Sequence, residues 1–327
     1  MSKLLSMRQA ISRFVPDGAS VALGLQMEQM IPFAAGHEII RQKKRGLTLI
    51  GPISDILFDQ LIAAGCVERV IAAWVGNVMM GSVYNFRRAI EERKIKITDL
   101  SNFSVALALQ AAAMGVPFLP TRTALGSDIA KGNEFFAEIA SPFSNSKSQK
   151  TNGGKQNCST WNNPGAPLKA NTKLHAVRAL APDVAIVHVQ RADAEGNAHC
   201  WGSFGVMLEG VRAAKNVIVV AEEIVAPEVI SSDPNRTVVP GFLVSAVVES
   251  RYGAHPSPVQ GYYKRDDAAF REYHEQTRTA ADTQAWLQRS VFEVRDRAEY
   301  VERVGDSRLH ELGVKTHAYA AAADFGY

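Results

Sequence analysis

Residues 102–127 read NFSVALALQAAAMGVPFLPTRTALGS. Residues 105–114 are almost wholly apolar and lack the polar face of a surface helix, which predicts a helix buried on most sides. Gly115 ends that helix in the usual C-terminal manner, and Val116-Pro117 prevents a restart. Residues 118–120 are a short extended piece, and 121–127 are a polar, glycine-containing loop. The unit is a buried helix feeding a strand whose C-terminal end opens into a loop. Open α/β sheets bind their ligands at such ends. Asn102 stands just before the helix, where an amide side chain suits an N-cap.

Upstream, strands and helices alternate. Residues 4–14 predict a short amphipathic helix, and Pro16-Asp17-Gly18 a turn. A buried strand at 21–23 runs into Gly24-Leu25-Gln26, with Pro32 eight residues beyond Gly24 and a helix over 33–42. Strands at 47–50 and 67–73 flank a helix at 58–64, and a charged helix covers 84–93. This alternation predicts an open, mostly parallel sheet with helices on both faces. Between the strand ending at Ala73 and the charged helix lies WVGNVMMGS, residues 74–82, apolar apart from Asn77 and Ser82. Thioethers fill irregular apolar shapes. Val78, Met79 and Met80 therefore suit core filling and an apolar ligand equally.

Downstream, residues 144–172 are rich in Asn, Ser, Lys, Gly and Thr with almost no aliphatic side chains, which predicts a mobile surface insertion. Strands at 184–189 and 198–201 flank a turn and form a hairpin; a helix follows at 204–214. The strand at 217–221 ends at Glu222-Glu223, a pair fit for acid–base work or for a structural role. Residues 246–248 are the last core strand. From 266 the chain is helical and charged, with Phe270, Tyr273, Trp286, Phe292 and Tyr300 as anchors in a C-terminal region of the same single domain.

The 327 residues are 46% apolar and 21% charged, an ordinary globular composition, with a net charge of +3. That charge is too weak and dispersed to argue for nucleic acid, and no helix-turn-helix, zinc-finger or P-loop pattern is present. Cys66, Cys158 and Cys200 show neither metal-ligand nor disulfide spacing, so no metal is expected and the cytoplasm is the expected compartment. The N-terminus lacks a signal peptide's apolar core, and the longest apolar run contains Gln110 and the Gly-Val-Pro stop, which excludes a membrane span.

Over nearly its whole length outside 144–172, the chain resembles the A (alpha) subunits of class I coenzyme A transferases, the glutaconate CoA-transferase type. The quoted stretch carries the resemblance, together with Asp17, Gly18, Gly24, Pro32 and the segment YGAHPSP from Tyr252. It implies that the side-chain amide of Asn102 holds the oxyanion of a thioester; the family usually has Gln there. It implies substrate contacts from Gly24, Leu25 and Gln26, where the family has Gly-Gly-Phe, and from Val78, Met79, Met80 and Ser82 beside the acyl group. Gly126 and Ser127 would line the channel for coenzyme A. The family's nucleophile is a glutamate of a B (beta) subunit, in a Ser-Glu-Asn-Gly motif that is absent from these 327 residues. The resemblance thus implies half of an active site, completed by a beta partner. Two other readings stay open. Some alpha–beta pairs of the superfamily are ring-opening hydrolases of CoA thioesters that use a glutamate near position 102. Related folds also serve as ligand-binding or scaffolding chains.

Overall fold

The computed structural model of the protein describes residues 2–141 and 173–314. The insertion at 144–172 and the tail from 318 lie outside the described residues. Helix α1 (Met7–Phe14) leads to β1 (Ser20–Ala22), α2 (Phe33–Arg41), β2 (Leu47–Ile53), α3 (Asp55–Ala63), β3 (Val67–Trp74), α4 (Tyr84–Glu91), β4 (Lys96–Asp99) and α5 (Asn102–Ala113). Strands β5 (Phe118–Thr121), β6 (Phe136–Ala140) and β7 (Lys173–Arg178) follow. After them come β8 (Val184–Ala192), β9 (Ala198–His199), α6 (Met207–Ala213), β10 (Asn216–Ile224), α7 (Pro227–Ser231), β11 (Thr237–Val239) and β12 (Ala246–Glu249). Helices α8 (Asp267–Gln276), α9 (Ala280–Leu287), α10 (Arg297–Val304) and α11 (Asp306–Leu312) close the described chain.

Seven strands run parallel in the order β4-β3-β2-β1-β8-β10-β12. Strand β9 folds back antiparallel on β8, and β11 adds antiparallel to β9. The strand order reverses between β1 and β8, so the loops leaving those strands diverge and open a crevice at the C-terminal edge. The pleat sends alternate side chains to opposite faces. Val21, Leu49, Ile186 and Ile218 enter one core with α1 to α4, and Ala22, Ile50, Val187 and Val219 enter another with α5 and α6. A sheet buried on both faces needs such continuous apolar strands. Each fully buried Val, Ile or Leu stabilises the fold by roughly 1.5–3 kcal/mol. Of the C-terminal anchors, Phe270 and Tyr273 enter the first core with Trp286 against it, while Phe292 is 37% exposed.

Two expectations change and one holds. The extended piece after α5 is not a strand of the main sheet: β5 pairs with β7, and β7 with β6, in a separate three-stranded antiparallel sheet. Helix α5 is buried along its middle as expected, with Ser104, Val105, Ala108, Leu109 and Ala111 inside and Ala106, Leu107, Ala112 and Ala113 half-buried against the same core, while Phe103 and Met114 at its ends are more than half exposed. The stretch between α7 and β12, for which the sequence predicts no strand, contains β11.

Candidate active site

The loops leaving β1, β2, β3 and β4 lie side by side on the C-terminal edge of the sheet. They bring the residues around Gly24, Asp55, Val78 and Asn102 to one rim. Gly24 has φ +64, and a Cβ on it would come within 2.3 Å of Ser54 Oγ and 2.8 Å of the Ile53 carbonyl oxygen. Only glycine lets β1 turn off the sheet this close to β2. The next two residues turn inward, away from the solvent side of the rim. Leu25 is 2% exposed and packs on Gly210, while its carbonyl accepts the Val206 N–H at 2.7 Å. Gln26 is buried, and its Nε2 donates to Cys200 Sγ at 3.3 Å.

After β3 the chain makes a tight turn closed by Asn77 and Gly81, whose backbones exchange hydrogen bonds of 2.7 and 2.6 Å. Asn77 is wholly buried. Its Oδ1 accepts the Met79 and Met80 N–H groups at 3.0 and 3.1 Å, and its Nδ2 donates to the Phe270 carbonyl at 2.8 Å. The turn is anchored from below and presents Met79, Met80 and Ser82 outward, with Val78 half-buried. The two thioethers are not core filling.

Ser101 is the N-cap of α5: its side chain accepts the Ser104 N–H at 3.0 Å. Asn102 therefore occupies the first helical position, exposed, with its amide unengaged by any partner among the described residues. The amide stands at the positive end of a twelve-residue helix. Trp74, Met79, Met80 and Phe103 on this edge are each 38% to 52% exposed. Gly126 and Ser127 lie on an exposed loop after β5, where Gly126 has φ +77 with open space about it and Ser127 Oγ accepts the Ile129 N–H at 3.3 Å.

On the other half of the same edge the carboxylates are paired. Glu222, at the end of β10, accepts from Tyr263 Oη at 2.6 Å and the Tyr252 N–H at 2.6 Å, and pairs with His188 Nε2 at 2.7 Å. Glu223 pairs with Arg191 at 3.3 Å, so the two glutamates serve structure. His255 is buried, bonded to Asp266 at 2.9 Å and to Tyr300 Oη at 2.8 Å. Burial pushes its imidazole below the ordinary value, with Asp266 opposing. Burial alone would raise Asp266, but hydrogen bonds from His255 and Arg308 hold it well below the carboxylate range. The segment from Gly253 to Ser257 is buried within this chain rather than turned outward.

Burial drives the thiols of Cys66 and Cys200 up to about 12, so neither is a nucleophile at neutral pH. Among the described residues no group of three or more His, Cys, Asp or Glu side chains could hold a metal, and no helix is long and apolar enough to cross a membrane. Sequence reading missed Asp55, having begun the helix at residue 58; Ser54-Asp55 directly after an apolar strand was the available signal.

Residues 4–250 match the family model described as Coenzyme A transferase. The chain belongs to the coenzyme A transferase family. It is 34% identical over 311 residues to the alpha-type subunit of 3-oxoadipate CoA-transferase from Pseudomonas knackmussii, covering 94% of this chain and 100% of that one. It is 33% identical to the alpha-type subunit of glutaconate CoA-transferase from Acidaminococcus fermentans, covering 96% and 95%. The solved structure of glutaconate coenzyme A-transferase from that organism superposes with a TM-score of 0.82, at 31% identity and 97% coverage of both chains.

Proposed function

We propose that this chain is the alpha (A) subunit of a two-subunit CoA transferase, which moves coenzyme A from an acyl-CoA to a carboxylic acid. The observation that carries the reading is the unengaged Asn102 amide at the N-terminus of α5, on the same sheet edge as the outward-facing 77–81 turn, in a chain without the Ser-Glu-Asn-Gly motif. The nucleophile is a glutamate carboxylate of a beta subunit. It attacks the thioester carbonyl, the carbonyl electrons move to oxygen, and collapse expels the CoA thiolate to leave an acyl–glutamyl anhydride. The thiolate then attacks the glutamyl carbonyl and releases the donor acid, leaving a glutamyl-CoA thioester. The acceptor carboxylate reverses these steps and leaves with CoA.

Asn102 donates from its amide to the oxyanion, with the α5 N-terminus adding positive potential; one such donor is worth about 10²–10³-fold in rate. Val78, Met79, Met80 and Ser82 receive the acyl group, and the thioethers favour an acyl chain more apolar than a short dicarboxylate. Gly24 gives the chain its close turn at the rim, and Leu25 and Gln26 act on the substrate only through the loop they anchor. Gly126 and Ser127 border the channel for coenzyme A. Trp74, Phe103 and their neighbours form the contact with the beta partner, an exposed apolar surface of the kind that marks such contacts. An amide at 102 supports transfer over the hydrolases that use a carboxylate there. The cytoplasm is the compartment that the free Cys66 and Cys200 suit.

The test is co-expression with the beta-type chain and assay of transfer from acyl-CoA donors to short, dicarboxylic and apolar acids, with free CoA followed in parallel. Transfer in the mixed complex alone supports the reading. CoA release without an acceptor identifies a hydrolase, and failure to form a complex refutes the half-site.

A further inference from the structure

On the β1–β4 rim lies a carboxyl group that the chemistry above does not use. Asp55 opens α3, and its side chain is completely buried. Its backbone has φ +48, a left-handed conformation that is strained for any residue with a Cβ and least so for Asp and Asn. Oδ1 accepts the Ile56 N–H at 3.0 Å and, across the rim, the Val78 N–H at 3.2 Å. Oδ2 has no partner among the described residues. A buried carboxyl oxygen without a donor is costly, as is the backbone strain, and such features persist where the surrounding structure puts them to use. Ser54 does not cap this helix, because its hydroxyl donates to the Leu23 carbonyl at 3.0 Å.

We propose that Asp55 is a positioning residue for the acyl group: through the Val78 N–H it holds the 77–81 turn that presents Met79 and Met80 to the substrate. This deepens the transferase reading and rests on it. The turn has two ties with different jobs. Asn77 fixes its internal shape and fastens it to the Phe270 carbonyl. Asp55 fixes it to α3, and so to the Gly24 loop that packs on Ser54. The charged groups facing Asp55 are Glu28, from the loop after β1, and Arg265, from the segment before α8, themselves paired at 2.9 Å. Burial raises the carboxyl to about 7, against the Val78 hydrogen bond and Arg265. The tie therefore changes strength near neutrality. Above that pH the bond to Val78 is charge-assisted and strong; below it, Oδ1 belongs to a neutral acid and accepts weakly.

The experiment measures KM and kcat for an acyl-CoA donor in the alpha–beta complex between about pH 6 and about pH 8, on either side of that titration. Wild type is compared with D55G and D55N. Glycine relieves the strained φ, and asparagine tolerates it while keeping an oxygen opposite Val78, so both variants fold; thermal melting verifies this. Losing the tie in D55G raises KM roughly tenfold, more than it lowers kcat. In wild type KM falls as pH rises through neutrality, and D55N removes that dependence while rescuing most of the loss in D55G. A D55G enzyme with unchanged KM at every pH overturns the proposal, as does a D55N enzyme that keeps the wild-type pH dependence. A wild-type complex that transfers nothing overturns the transferase reading itself, and the role of Asp55 with it.

Discussion

The two halves of the sheet's C-terminal edge are built from similar side chains and treat them in opposite ways. On the β8, β10 and β12 side, Glu222, His255 and Asp266 find partners on every face, supplied by Tyr263, Tyr300, Arg308 and the backbone of the loop after β12. On the β1 to β4 side, among the described residues, the Asn102 amide is free and Asp55 Oδ2 is unpaired. The C-terminal helices supply many of these partners: α8 and α11 contribute the Ala269 N–H and Arg308 to Asp266, and α10 contributes Tyr300 to His255. A hydrogen-bonded buried network rigidifies what it touches, whereas the exposed Asn102 amide is available to a ligand. The residues that resemble catalytic carboxylates and histidines are therefore held in structure, and the groups proposed to act on substrate are an amide and a turn.

The largest effect should fall on the closed half. Removing the Asp266 carboxylate leaves His255 and Arg308 without their buried acceptor, so Asp266→Ala should cost about 3–5 kcal/mol of stability in urea unfolding. An unchanged midpoint would erase the contrast between the halves. Asn102→Ala should do the reverse: in the alpha–beta complex kcat falls about 10²–10³-fold, while stability moves within about 0.5 kcal/mol, as for an exposed side chain.

Opposite pH responses give a third contrast. His255 and His37 are pushed down by burial, so the unfolded chain binds protons that the folded one refuses, and stability falls as pH drops through the ordinary histidine range. Asp55 is raised from 3.8 to about 7, so the folded state holds its proton longer and stability falls as pH rises across that window. Asparagine cannot ionise. D55N should therefore gain stability over wild type at a pH above that window relative to one within it, by on the order of 1–3 kcal/mol in thermal melts. The smallest effect belongs to the exposed thioethers: exchanging Met79 and Met80 for Ser should shift preference away from apolar acyl-CoA donors by roughly tenfold in kcat/KM ratios.

The main sheet was legible because its strands are continuous apolar runs of the right length separated by turn signals, as at Leu47–Ile53 and Val184–Ala192. The second sheet was not. Its strands β5 and β6 are short and largely exposed, and β7 lies beyond the polar insertion, so no local pattern joins them. Asn102 was legible as a position but ambiguous as a cap, and the competition was decided by Ser101, whose hydroxyl is one residue better placed. The inward turn of Leu25 and Gln26 follows from Gly205 and Gly210, nearly two hundred residues away in sequence. Asp55 escaped because its left-handed backbone at a helix start follows no propensity rule; tertiary packing imposes it.

This chain is proposed to supply an oxyanion donor and an acyl seat while its partner supplies the nucleophile. The most direct measurement is to mix the alpha–beta complex with an acyl-CoA, quench it, and locate the covalently bound CoA by peptide mass spectrometry. The adduct is expected on a glutamate of the beta partner and none on this chain, with Asn102→Ala slowing its formation. An adduct on any carboxylate of this chain, Asp55 and Glu28 included, would contradict it.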